Sequence, residues 1–128
     1  MKYNVEDLSS DDAIFVNENW EYRSEKSLDY IKWRIENGAN ALIRKKGEPV
    51  SWGLLHWNYS IGFLYTKKKY RRMGYAEDVL ISLVNKVRQS GKIPYLYVIT
   101  DNIKSQNLVK KIGFRVKGMY SWINIENM

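Results

Sequence analysis

The sequence predicts a mixed α/β fold, and three observations carry that expectation. Three apolar runs, at 39–44, 50–57 and 61–66, follow one another across short, turn-rich links, as in an antiparallel meander. Beyond residue 75 the apolar period lengthens from two residues to three and four, the helical spacing. A further apolar run, 93–99, then stands between two helical stretches, so strand and helix alternate in the second half.

Taken in order, 3–8 alternates weakly and reads as a short edge strand. Ser9 and Ser10 followed by Asp11 and Asp12 mark a helix start, because hydroxyls cap the free amides and acids suit the positive end of the dipole. Ser24 or Ser27 caps a second helix that carries Leu28, Ile31 and Ile35 on one face. Lys45-Lys46-Gly47-Glu48-Pro49 supplies the turn between the first two strands, and Asn58-Tyr59-Ser60 leads into the third. Ala76, Val79, Leu80, Leu83, Val84 and Val87 give the clearest amphipathic helix, closed by Ser90-Gly91. After the 93–99 strand, a shorter helix over 102–111 stops at Gly113, a residue type suited to the helix C′ position. Residues 114–125 read as a terminal strand pair or one bent strand.

Neither a low-complexity linker nor an internal repeat interrupts 1–128, so one domain is expected. A composition that is 45% hydrophobic and 14% aromatic suits a packed core rather than a disordered chain. The sequence has no cysteine, which excludes disulfides, thiolate metal sites and a cysteine nucleophile. His56 is the sole histidine, so clustered imidazole ligands are excluded and no metal is expected. Residues 1–7 lack a signal-like apolar run, and no stretch approaches the roughly 18–20 apolar residues of a membrane span. A cytoplasmic protein without a membrane partner is the expectation, as a monomer or homodimer. The net charge of +7 favours an anionic partner without naming it.

The arrangement of that charge is more telling. Arg71-Arg72-Met73-Gly74-Tyr75-Ala76 follows a strand and opens the amphipathic helix. Amides of a first helical turn point outward with the positive dipole end and can cradle a diphosphate. Gly74 permits close backbone approach, Ala76 keeps the next approach narrow, and Arg71 and Arg72 add charge. The same residues can also be read as a solvated basic loop or a nucleic-acid patch.

In its R-x-x-G-x-A pattern this loop resembles the diphosphate loop of the GCN5-related N-acetyltransferase (GNAT) superfamily. Downstream, Asn102, Ser105, Leu108, Gly113 and Phe114 are spaced like that superfamily's second signature. A narrower resemblance, carried by Val16-Asn17 with Trp20, by Pro49-Val50-Ser51-Trp52 and by Tyr120-Ser121-Trp122, is to the FR47-like family and the C-terminal domain of glycine N-acyltransferases. The resemblance implies a mostly antiparallel, twisted sheet with a splayed strand pair and helices on both faces. It also implies an acyl-CoA co-substrate, acetyl-CoA above all, and a small-molecule amine or amino-acid acceptor, with no nucleic acid. Cofactor contacts would come from Phe63, Leu64, Tyr65 and Thr66 at the splayed strand, from Arg71, Arg72, Met73, Gly74, Tyr75 and Ala76 in the loop, and from Asn102 and Ser105.

The amine would attack the thioester directly, with the amide of Leu64 or Tyr65 polarising the carbonyl. The chain departs from the family where protons move. Val109 stands where many relatives carry a tyrosine acid, and Ser60 where a glutamate base is expected. His56 is the substitute base, with an ordinary pKa suited to the task, and Tyr65 is a second catalytic candidate. The two departures also leave open a non-catalytic module that binds acyl-CoA as a sensor. Most of the five tryptophans are expected in the core.

Overall fold

The computed structural model describes residues 1–99, 102–119 and 122–126, with the backbone alone at 99, 116–119 and 122–126. A 3-10 turn, Ser10–Asp12, leads into α1 (Ala13–Glu18), and α2 (Ser27–Asn37) follows. Then come β1 (Asn40–Lys45), β2 (Glu48–Leu55), β3 (Ile61–Thr66), a 3-10 turn at Lys68–Tyr70, and α3 (Tyr75–Gln89). The chain closes with β4 (Tyr95–Ile99), α4 (Ile103–Ile112), β5 (Arg115–Met119) and β6 (Trp122–Glu126). Among the described residues the strands form one sheet in the order β1-β2-β3-β4-β6-β5. Every neighbouring pair is antiparallel except β3 and β4.

Each face of the sheet carries its own core. Leu42, Trp52, Leu54 and Phe63 pack with Val16, Ile31 and Ile35 of α1 and α2. Ala41, Ile43, Val50 and Ile61 pack with Val79, Leu80, Leu83 and Val87 of α3 and with Val109 of α4. The alternation in β1 is the ordinary two-residue period. In β2, however, Val50 and Trp52 face opposite sides, because Ile43 pairs with Ser51 and Arg44 with Pro49, leaving Val50 as an extra residue. In β3 Ile61 and Phe63 likewise part company. Leu54 pairs with Gly62 but Trp52 with Tyr65, so β3 also holds an extra residue, and Phe63 takes up the strain at φ 53°.

The expected strand at 3–8 reduces to a single bridge, Glu6 to Leu42. The segment is held largely by side chains instead: Asn40 Oδ1 accepts the Leu8 amide at 2.6 Å, and Arg44 contacts Glu6 and Asp12. Ser27 begins α2, but its hydroxyl accepts from the Ser24 amide and donates to Asn17, bracing the loop before the helix. The tryptophans divide differently from expectation. Trp52 is buried and Trp20 packs partly against the same core, whereas Trp33 and Trp57 are more than half exposed. Trp122 has no described side chain, and Tyr120 and Ser121 lie outside the described residues.

Gly53 faces α3 so closely that a Cβ there would come within 2.8 Å of Leu83 Cδ1 and 2.7 Å of Leu64 Cδ2. Leu83 is fully buried and has nowhere to retreat. Gly53→Val should therefore cost about 1–3 kcal/mol by overpacking, read as a lower urea midpoint with an unchanged slope.

Candidate functional site

The parallel strands β3 and β4 pair at one position, Ile61 with Leu96, while β4 stays fully paired with β6. From Gly62 onward β3 therefore has no ladder partner on its β4 side among the described residues. The extra residue at Phe63 bends the strand away and opens this gap. A cleft lined by unpaired backbone can bind an extended, amide-bearing ligand as an added strand would bind.

Beyond Thr66 the chain passes through the 3-10 turn to the start of α3. Lys67 and Lys69 on this stretch lie 3.0 and 3.9 Å from Glu48, whose carboxyl is held below its usual pKa chiefly by the Lys67 hydrogen bond. Glu48 offsets one of these two positive charges. Arg71 turns back to the Thr66 carbonyl at 2.9 Å and lies over the Tyr65 ring. Arg72 and Gly74 both sit in the left-handed region, at φ 64° and 88°. Turns that include left-handed residues can present amides as an anion-binding concavity. No side chain caps α3, so its first-turn amides are left for a ligand.

Both first-turn carboxylates of α3 are engaged elsewhere. Glu77 pairs with Lys111 at 3.1 Å. Asp78 is buried and accepts the backbone amides of Lys2 and Tyr3 at 2.7 and 2.6 Å. Tyr3 then stacks on Tyr75, centroids 4.0 Å apart, and donates its hydroxyl to the Met73 carbonyl at 2.6 Å. The first residues thus fasten the loop from behind. Nothing in the residue pattern announces this contact, because its partners lie more than 70 positions apart.

On the α1–α2 face, beside the bulge, lies His56. Its ring is 4.4 Å from Phe63 and packs over Gly62, where any Cβ would collide with it. Burial, and then the positive charge of Arg34, pull its pKa below the ordinary histidine value. Tyr30 Oη lies 3.4 Å from Nδ1. Tyr65 shares this face, stacked on Trp52 at 5.2 Å, one turn of strand beyond Phe63. Phe63 itself is buried and Leu64 points to the α3 side, so their backbones rather than their side chains border the cleft.

The remaining sequence-predicted residues separate. Ser60 is buried and its hydroxyl donates to Asn58, and Val109 is sealed in the α3-side core, so neither is a proton carrier. Asn102 caps α4, its Oδ1 accepting from the Ser105 amide at 3.1 Å. Met73 is exposed and Tyr75 is buried under Tyr3, while Ala76 lies within the first turn of α3. No group of three or more metal-type ligands occurs among the described residues. Nor is any described helix long and apolar enough to cross a membrane.

A six-stranded mixed sheet parted beside a bulge, with an uncapped helix start at the mouth of the gap, is the GNAT architecture. PaiA N-acetyltransferase from Thermoplasma acidophilum in complex with coenzyme A superposes at a TM-score of 0.69, with 16% identity, 99% of this chain and 99% of that chain covered. The IAA acetyltransferase from Bacillus cereus superposes at 0.77, with 13% identity and coverages of 96% and 97%. The model of the FR47-like protein family matches residues 41–123, and the chain belongs to that family. It is also 35% identical over 101 residues to the human glycine N-acyltransferase-like protein 1, covering 77% of this chain but 33% of that protein. The chain thus spans about a third of the length of this curated relative.

Replacing Asp78 by Ala strands two amides and frees the N-terminal residues. The expected outcome is a loss of about 1–3 kcal/mol in urea unfolding, with amide exchange at Lys2 and Tyr3 accelerated well beyond that at β1.

Proposed function

We propose that this domain transfers an acyl group, acetyl above all, from coenzyme A to the primary amine of a small molecule or amino acid. The observation that carries the reading is that β3, unpaired on its β4 side beyond Ile61, runs within a few residues into the left-handed loop at Arg72 and Gly74 and the uncapped start of α3. One end suits a diphosphate and the other an amide-bearing arm, which together are the chemistry of coenzyme A. Arg71 and Arg72 add charge at the loop, and Asn102 and Ser105 stand at the start of α4, where a capped but exposed turn can border the ligand.

In the reaction the acceptor nitrogen attacks the thioester carbonyl carbon, the carbon–sulfur bond breaks, and the thiolate departs and takes up a proton. The backbone amide of Leu64 or Tyr65 polarises the carbonyl oxygen and stabilises its developing charge. His56, held neutral beside the bulge, accepts the proton that the amine must lose. Tyr65 lies on the same face and is the second candidate for moving that proton. Holding both substrates in one cleft supplies much of the remaining acceleration.

Calorimetric titration with acetyl-CoA tests the site. Saturable binding by the wild type, lost in Gly74→Trp, is expected; a φ of 88° disfavours any side chain there, and an indole would fill the anion concavity. Equal binding by the variant would overturn the assignment of the loop. Absent binding alongside salt-sensitive association with an oligonucleotide would favour a nucleic-acid domain. His56→Gln should lower kcat for thiol release by about a hundredfold or more while acetyl-CoA still binds. Binding with no thiol release across an amine panel would make the domain a sensor.

A further inference from the structure

α2 carries two residues one helical turn apart, Tyr30 and Arg34, that grip the chain on either side of His56. Arg34 Nε donates to the carbonyl of Leu55 at 2.9 Å, and the Trp57 amide donates to Tyr30 Oη at 3.0 Å. The residues immediately before and after His56 are thereby fixed to one helix face. Tyr30 Oη also faces His56 Nδ1 at 3.4 Å, its ring nearly parallel to the imidazole. On the other side Nε2 lies over Gly62, next to the strand bulge.

Arg34 is an unusual residue to bury. It is 3% exposed, its Nη2 has no hydrogen-bond partner, and no carboxylate lies within ion-pair distance among the described residues. Its Cζ lies over the Trp33 ring at 4.9 Å, but burying a guanidinium without a carboxylate partner costs several kcal/mol, which that contact and one hydrogen bond to a carbonyl only partly offset. Its charge acts on His56. The other groups packed on that imidazole are the phenol of Tyr30 and the neutral rings of Trp20 and Phe63.

We propose that Tyr30 and Arg34 are positioning residues which hold His56 as the neutral Nδ1–H tautomer, leaving the Nε2 lone pair beside the β3 bulge as proton acceptor. In this assignment Tyr30 Oη accepts both the Trp57 amide and Nδ1–H and turns its own proton outward from the half-buried phenol; the 3.4 Å contact fits either direction, and the ring signals decide between them. Arg34 opposes a second proton by like-charge repulsion. The assignment rests on the acyltransfer reading only for its purpose; the state of the ring is measurable without turnover.

Because His56 is the sole histidine, its ring signals in nitrogen-15 NMR need no assignment. In the wild type they should report the Nδ1–H tautomer, with a titration midpoint below that of a free imidazole. Tyr30→Phe should lose the single tautomer and lower kcat several-fold with KM for acetyl-CoA unchanged. Arg34→Met should move both the midpoint and the acid limb of kcat/KM to higher pH, with Arg34→Lys restoring them toward wild type. A wild-type Nε2–H tautomer, or a midpoint at or above the free value, overturns the proposal even if no variant folds. Full activity in His56→Gln would remove His56 from the reaction and overturn its role as proton acceptor, whatever tautomer the wild type shows.

Discussion

One extra residue in β3 governs the rest of the molecule. Without it Phe63 would face α3 with Ile61, and the α1–α2 core would lose the aromatic side chain beside which His56 packs. The strand would also run straight and pair with β4 beyond Ile61, closing the gap. The left-handed backbone at Phe63 is costly for a residue with a Cβ, of order 1–3 kcal/mol. That cost is offset by two full cores, one on each face, which hold the strand on both sides of the kink.

The second constraint is electrostatic. A chain with a charge of +7 must keep its cations apart from one another and its acids from the anion loop. It does so by local pairing: Glu48 takes Lys67 and Lys69, Glu77 takes Lys111, and Asp78 is spent on two backbone amides. What stays open at the start of α3 is then an array of peptide dipoles with arginines at its edge. Positive potential there then draws on fixed backbone as well as on mobile side chains.

Much of this was legible in the sequence because local rules and tertiary demands agreed. The Lys46-Gly47 turn, the α3 stripe from Val79 to Val87 and the Gly113 stop all read correctly, and β3 was bounded to the residue. The loop at Arg71–Ala76 was legible because a glycine between a strand and a helix has a narrow meaning. The failures are of another kind. An alternation at 3–8 suggests a strand, but the segment has an edge partner at one residue only and is held by Asn40 and Arg44. Trp33 and Trp57 are large and apolar, yet they lie at positions that the helix period and the strand end turn outward. Tyr30 and Arg34 gave no sign beyond their four-residue spacing, since their role depends on which loop α2 happens to face. Sequence patterns report what an element buries, and seldom what it holds still.

The contact between Asp78 and the amides of Lys2 and Tyr3 has a kinetic side. It joins points separated by 75 and 76 positions, so it forms only after the intervening sheet and helices have brought them together. Closing so long a loop is slow, and the local elements have every advantage in time. The turn before α3 is therefore expected to take its final shape late in folding, behind the scaffold that holds it. During unfolding the order can reverse: chain ends are the first to open locally, and the turn would then lose its backing while both cores remain packed.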